Sequence, residues 1–373
     1  MARGRRSDLD QLTRSVIGET GTSWRLAEPF QPEVPAFAGM TGVKRFDKLR
    51  LMKPSLPLLL AALALAGPAA ANDSTAEHSA GGLVLTRTAD IDMLSEDLFV
   101  SAGEVRVRYV FRNRSPSEIR TIVAFPMPDR DLRQEREMDV AYPSGFETRV
   151  DGRRIAMKVE RKAMLGGVDR TALLAGLGLA PDSGTERLGR LKPADKARLV
   201  ELGLAETEEY DAGRGWERQV VPVWTVKESW FWEQAFPAGR DLVVEHRYVP
   251  GTGGSVDAAL GFADFRATPE GKAMIRDYCV EPSFLAGLDR MRRRSQATPE
   301  QRIGYILTTG SHWRSPIGDF RLVVDKGAPG NLVSFCGEGV RKISPTRFET
   351  VRTDWRPDRD LRILIVQPRP GGE

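Results

Sequence analysis

The chain has 373 residues, 28% of them charged, with a formal net charge of +4, a length that suits two domains or one large one. Its three histidines (His78, His246 and His312) lie far apart, and neither His-x-x-x-His nor Cys-x-x-Cys occurs, so a zinc site built on either residue is excluded. Residues 1–51 hold nine Lys/Arg against six Asp/Glu and Lys53 adds one more, which leaves the rest of the chain near neutral and excludes the basic footprint a nucleic-acid partner needs.

In chain order, residues 1–51 show no sustained period and mix Arg3, Arg5 and Arg6 with Pro29, Pro32 and Pro35. The run Pro35-Ala36-Phe37-Ala38-Gly39-Met40-Thr41-Gly42 looks like a translated intergenic repeat. Residues 1–51 are therefore expected to be an untranslated stretch ahead of the true start, or a disordered leader. From Met52 the parts of a secretory signal stand in order: Lys53, an apolar centre over residues 56–66, and Ala69-Ala70-Ala71 as the small-residue cleavage site. That centre is too short for a bilayer, which takes about 20 residues, and Pro57, Gly67 and Pro68 oppose a core helix. The signal is placed at 52–71, cleaved between Ala71 and Asn72. The absence of a cysteine after the cut removes a lipid anchor. The mature chain is expected in the periplasm, with no membrane span once the signal is gone.

Residues 72–165 read as an N-terminal β-sandwich region. Val105, Val107, Tyr109 and Phe111 alternate with Arg106, Arg108, Val110 and Arg112, as in a half-buried strand, and the arginines are assigned to its solvated face. Asn113-Arg114-Ser115-Pro116 turns the chain, and a second strand over 119–125 is stopped by Pro126 and Pro128. Asp151-Gly152 between two extended runs predicts a two-residue hairpin, because both turn positions favour positive φ. Residues 166–215 read as a helical excursion, with helices after Asp169 and from Pro193 that end at Gly178 and Gly203. Their ends, Leu177-Gly178-Leu179-Ala180 and Leu202-Gly203-Leu204-Ala205, match. The stretch 206–214 reads as polar connection. Residues 216–368 form a C-terminal β-rich region with helices near 269–293, opened by Thr268-Pro269-Glu270, and residues 369–373 are a tail. The fold class is mainly β (α+β), with β-sandwich regions. In an oxidising compartment Cys279 and Cys336 are expected to pair.

Several segments carry a resemblance. Gly81-Gly82-Leu83-Val84-Leu85, Val123-Ala124-Phe125-Pro126-Met127-Pro128-Asp129, Phe236-Pro237 and Tyr278-Cys279 are similar to a family of bacterial periplasmic proteins known as domain of unknown function 4424. So are the run from Ser315 through Asp319-Phe320-Arg321 to Lys326, and Ser334-Phe335-Cys336-Gly337. The resemblance implies export and a common framework, and it carries no activity or site. The first strand, the Phe-Pro-Met-Pro run and the Asp-Gly hairpin also look like the vault and inter-alpha-trypsin type β-sandwich domain.

No nucleophile elbow, phosphate loop or calcium loop occurs, so no catalytic, cofactor-binding or metal-binding residue is assigned and no cofactor is implied. Trp230, Trp232 and His312 remain as candidates for a ligand face. The tryptophans share one side of a strand, as a sugar platform would, although packing accounts for them as well. His312 follows Ser311 and precedes Trp313. The expected function is a non-catalytic binding or assembly component of the cell envelope, its partner an envelope protein or glycan. The alternative is a carbohydrate-active envelope enzyme.

Overall fold

Alternation builds the first strands. In Val105–Asn113 the residues Val105, Val107, Tyr109 and Phe111 are buried, while Arg106 and Arg108 face solvent. The structure is a computed structural model that describes residues 73–79, 82–135, 139–211, 213 and 215–369. The expected leader, the signal at 52–71, the cleavage pair Ala71 and Asn72, and all but the first residue of the tail lie outside the described residues. The described residues belong to one compact unit, Ala64–Glu373.

Strands from the early and late parts of the chain share sheets. An eight-stranded sheet runs in the order Arg341–Lys342, Arg347–Trp355, Ile317–Asp325, Ile91–Ser101, Val105–Asn113, Asp241–Val249, Ser144–Val150, Arg153–Ile155. Its pairs are antiparallel except Ile317–Asp325 with Ile91–Ser101, which run parallel. A seven-stranded sheet faces it in the order Val168–Asp169, Lys158–Leu165, Thr225–Phe236, Ile119–Pro126, Ser74–Ser79, Gly82–Thr86, with Arg130–Asp131 also on Thr225–Phe236. The third sheet has five strands: Leu332–Phe335, Leu361–Val366, Glu300–Tyr305, Thr252–Ser255 and Asp139–Ala141. The main core draws on all three, through Tyr109 and Phe111, Phe125 and Trp232, and Ile303 and Ile363. The fold is mainly β with a helical minority.

The Asp151-Gly152 hairpin forms with both residues at positive φ, 48° and 76°. Three helices occupy the 166–215 stretch: Thr171–Gly176, Thr185–Gly189 and Pro193–Glu201. The two matching tetrapeptides are one device used twice. Gly178 and Gly203 adopt φ of 70° and 68°, and the Leu179 and Leu204 amides each reach back 2.9 Å to Leu174 and Leu199 carbonyls. This is the left-handed helix end that glycine permits at no steric cost. The helices share a small core with Ala163, Trp224 and Val226, and Trp224 Nε1 donates to the Pro181 carbonyl at 2.6 Å. The excursion is thus seated on a fully buried tryptophan.

One segment differs from the sequence expectation. Ala205–Asp211, read as polar connection, is a strand paired with Trp216–Pro222. Ladder bonds use the backbone alone, and cross-strand charge pairs such as Glu209 with Arg218 at 2.7 Å replace the apolar alternation that would have marked it.

Late in the chain, Thr268 caps Pro269–Asp277 by accepting from the Gly271 amide at 3.0 Å, and Pro282–Arg292 follows. Cys279 and Cys336 are joined by a disulfide across a sequence separation of 57. Among the described residues no helix is long and apolar enough to cross a membrane.

Candidate functional site

A cleft of about 470 Å³ opens where the end of the seven-stranded sheet meets the five-stranded one. Pro126 ends the Ile119–Pro126 strand, and the Met127 amide stays bonded to the Glu228 carbonyl at 2.8 Å, so Pro128, Asp129 and Arg130 are delivered to the cleft wall. Opposite, Gly304 lies flat beneath Pro128: a Cβ there would meet the proline ring at 3.5 Å. The rim is tighter. A Cβ on Gly251 would stand 2.9 Å from Pro143 Cδ, so only glycine lets the Tyr142-Pro143 rim close against residues 250–253.

Tyr142, Tyr248, Tyr278 and Tyr305, four of the chain's six tyrosines, line this cleft. Tyr305 forms the floor, its hydroxyl 2.8 Å from that of Tyr109 behind it. Burial pushes the phenols of Tyr248 and Tyr305 well above their ordinary value, so both remain neutral. Tyr142 is 56% exposed and its ring carries the Arg130 guanidinium at 4.1 Å.

The arginines of the cleft are paired with acids, whereas Asp131 and Asp360 accept from backbone amides instead. Arg130 is bidentate to Glu135 at 2.8 and 3.1 Å. Burial opposes the Arg130 charge, but the Glu135 bonds outweigh it and hold the guanidinium above its usual range. Arg362 meets Asp277 at 2.9 Å. Asp129, 39% exposed, meets Lys227 at 3.3 Å. Its carboxyl is held above the usual range by the desolvating cleft wall, with the nearby Asp360 charge adding to the effect and Lys227 opposing it. Asp360 accepts from the Leu307 and Thr308 amides at 3.2 Å and from the Thr308 hydroxyl at 2.8 Å.

The residues singled out from sequence lie elsewhere. Trp232 is 5% exposed, in the main core, with Nε1 donating to Gln234 Oε1 at 2.9 Å. Trp230 is half-buried and stacked on Phe146, ring centres 5.0 Å apart, with Nε1 donating to Glu228. Phe231, opposite in phase, is covered by Ala76 and Leu83 of the first hairpin. His312 ends a short 3-10 turn, Thr308–His312, with Nδ1 2.9 Å from Ser74 Oγ. It makes no ring contact with either tryptophan among the described residues.

Burial, with the Arg87 charge adding to it, holds the His312 imidazole below its ordinary value of 6.5. A depressed histidine favours the fold in its neutral form. Its contribution is present above pH 6.5 and is lost as pH falls through the depressed value. Replacing His312 with Gln should flatten the fall of the unfolding midpoint on acidification below pH 6.5, read by denaturation at a series of pH values. An unchanged slope would contradict the assignment.

A second constellation went unread in the sequence. Thr148 Oγ1 lies 2.8 Å from His246 Nδ1, and Asp73 Oδ1 lies 3.1 Å from His246 Nε2. The order hydroxyl, imidazole, carboxylate matches that of a nucleophile with its base and orienter. The His246 and Asp73 side chains are fully buried (0% exposed), Thr148 is 1% exposed, and Phe125 packs 4.8 Å from the imidazole. No substrate reaches this hydroxyl. Instead the constellation fastens the first strand to the core, helped by Trp313 Nε1 donating to the Asp73 carbonyl at 2.8 Å. The one signal in the sequence was the phase of His246, which shares the inward side with Leu242, Val244 and Tyr248.

The exposed face of the eight-stranded sheet holds a larger concavity, about 590 Å³, lined by arginines. Arg321, Asp97, Arg108, Glu245 and Arg149 lie side by side across five strands, alternating in sign. Arg106 and Arg247 share Glu104 at 3.0 and 2.6 Å. Six arginines line it against three acids, so the face keeps a basic excess. Among the described residues no group of three or more His, Cys, Asp or Glu is placed to hold a metal ion.

Comparison with known proteins adds a family. A family model described as a domain of unknown function (DUF4424) matches residues 71–364. No curated protein matches the chain. Among solved structures, a candidate nutrient binding protein from Legionella pneumophila is similar at 13% identity, with a TM-score of 0.41, over 79% of this chain and 70% of that one.

Proposed function

Because the chain belongs to the DUF4424 family, whose description carries no activity, we propose that it is an exported, non-catalytic binding or assembly component of the cell envelope, with the tyrosine-lined cleft as its ligand site. The observation that carries this reading is the commitment of the cleft's four acids: Asp129 to Lys227, Glu135 to Arg130, Asp131 to the Arg133 amide, and Asp360 to the turn at Thr308. Hydrolysis of a glycosidic bond needs two carboxyl groups free to flank it, one as acid and one as base or nucleophile. A binding cleft needs shape, aromatic surface and a few fixed polar groups, which these are. Export to the periplasm is supported by the disulfide, a bond that persists in oxidising compartments, and by the ordered signal at 52–71.

A carbohydrate-active envelope enzyme is the second reading, since the raised Asp129 carboxyl beside Asp360 is the feature a general acid requires. One experiment separates the two. Mature protein from an osmotic-shock fraction, its intact mass beginning at Asn72, is incubated with envelope polysaccharide and assayed for new reducing ends. The binding reading expects none, and no difference between the parent and Asp129→Asn. Release that Asp129→Asn abolishes would install the enzyme in its place, and a native mass retaining residues 1–51 would overturn the export.

A further inference from the structure

The cleft has a chemical bias beyond being a place to bind. Its exposed aromatic surface is Tyr142, with Tyr278 half-buried and Tyr248 and Tyr305 buried beneath, and no phenylalanine or tryptophan is in the lining. The Tyr142 ring offers an apolar face and a hydroxyl together. Its arginines are spent on acids, Arg130 on Glu135, Arg302 on Glu300 and Arg362 on Asp277, and Asp129 is spent on Lys227. Each lining arginine among the described residues is held by an acid, while Asp131 and Asp360 add an acidic excess, so nothing in the cleft is left to hold an anionic ligand. The paired groups still present lone pairs and N–H donors in fixed directions, and a sugar hydroxyl can donate to one and accept from the other.

An extended peptide fits less well. The sheet edge at the cleft, Asp139–Ala141, is three residues long and is followed by Tyr142 and Pro143, and such a short edge is a poor template for an added strand. The aliphatic members Ile303, Ile306 and Leu361 are buried, so they offer no pockets for alternate apolar side chains. From the exposed Tyr142 ring and the pairing of every lining arginine among the described residues we infer that the ligand is a neutral oligosaccharide, laid against the open side of Tyr142 and held by the Arg130–Glu135 pair. This rests on the proposed role of the cleft and specifies its ligand class.

The test is binding of the mature protein to an array of neutral and acidic oligosaccharides and proline-rich peptides, followed by titration calorimetry on the best probe. Saturable binding to neutral oligosaccharides is expected, weakened about tenfold or more in Tyr142→Ala and largely retained in Tyr142→Phe, with the unfolding midpoint unchanged in both. Arg362→Gln on the opposite lip, where the side chain is 57% exposed, provides the same readout should Tyr142→Ala fold poorly. Binding confined to acidic sugars or peptides, yet lost in Tyr142→Ala, would overturn the ligand class and leave the cleft as the site. Absence of any binding that depends on Tyr142 or Arg362 would overturn both.

Discussion

Replacing Trp232 with alanine is expected to lower the free energy of unfolding by about 3–5 kcal/mol, the cost of emptying a large aromatic site in a packed core. The indole is 5% exposed, sits edge-on to His246 with centroids 5.7 Å apart, and belongs to the cluster shared by the three sheets. The cavity left behind is bordered by His246 of the eight-stranded sheet. Trp230→Ala should cost less, because that ring is half-buried and its stacking on Phe146 lies at the margin of the same core. Guanidinium denaturation of the two variants checks the order. A stable Trp232→Ala that loses affinity for glycans would return the pair to the role of a ligand face.

The second large effect belongs to the disulfide. Closing 57 residues is worth about 4 kcal/mol on the chain-entropy account, so Cys279→Ser with Cys336→Ser should lose about that much. The loss carries a local contribution as well. Cys279 follows the helix Pro269–Asp277 and its C-cap Tyr278, and takes φ of 48°, a left-handed position usually given to glycine. The Cys279 amide bonds to the Arg276 carbonyl and the Val280 amide to the Ile275 carbonyl, closing the same kind of cap as Gly178 and Gly203. Pairing Cys279→Gly with Cys336→Ser should therefore recover about 0.5–1 kcal/mol of the loss relative to the double serine variant. Equal midpoints for the two double variants would show that the cap stores no such cost.

Local rules made much of this fold readable from sequence. Alternation in Val105–Asn113, the Asp151-Gly152 turn, the Thr268 cap and the glycine helix ends each depend on neighbours within a few residues. What could not be read was set by distant partners. Nothing near residue 317 signals that Ile317–Asp325 lies parallel to Ile91–Ser101, or that their junction leaves Glu96 on the buried side. Asp73 gave no sign that it would meet His246 in the core. The cleft was hidden for the same reason: Tyr142, Tyr248, Tyr278 and Tyr305 are scattered along the chain, and only the packing of the eight- and five-stranded sheets with the end of the helix Pro269–Asp277 gathers them. The tryptophans drew attention because they stand two residues apart in one strand, and that spacing more often reflects a shared core face.

The most direct test of the cleft as the working surface is hydrogen exchange on the mature protein with and without a saturating neutral oligosaccharide. The account predicts slowed exchange in peptides covering residues 250–253 and 302–306, with residues 104–108 and 245–247 on the exposed face of the eight-stranded sheet unchanged. Protection confined to that arginine-bearing face, with the cleft peptides unaltered, would contradict it.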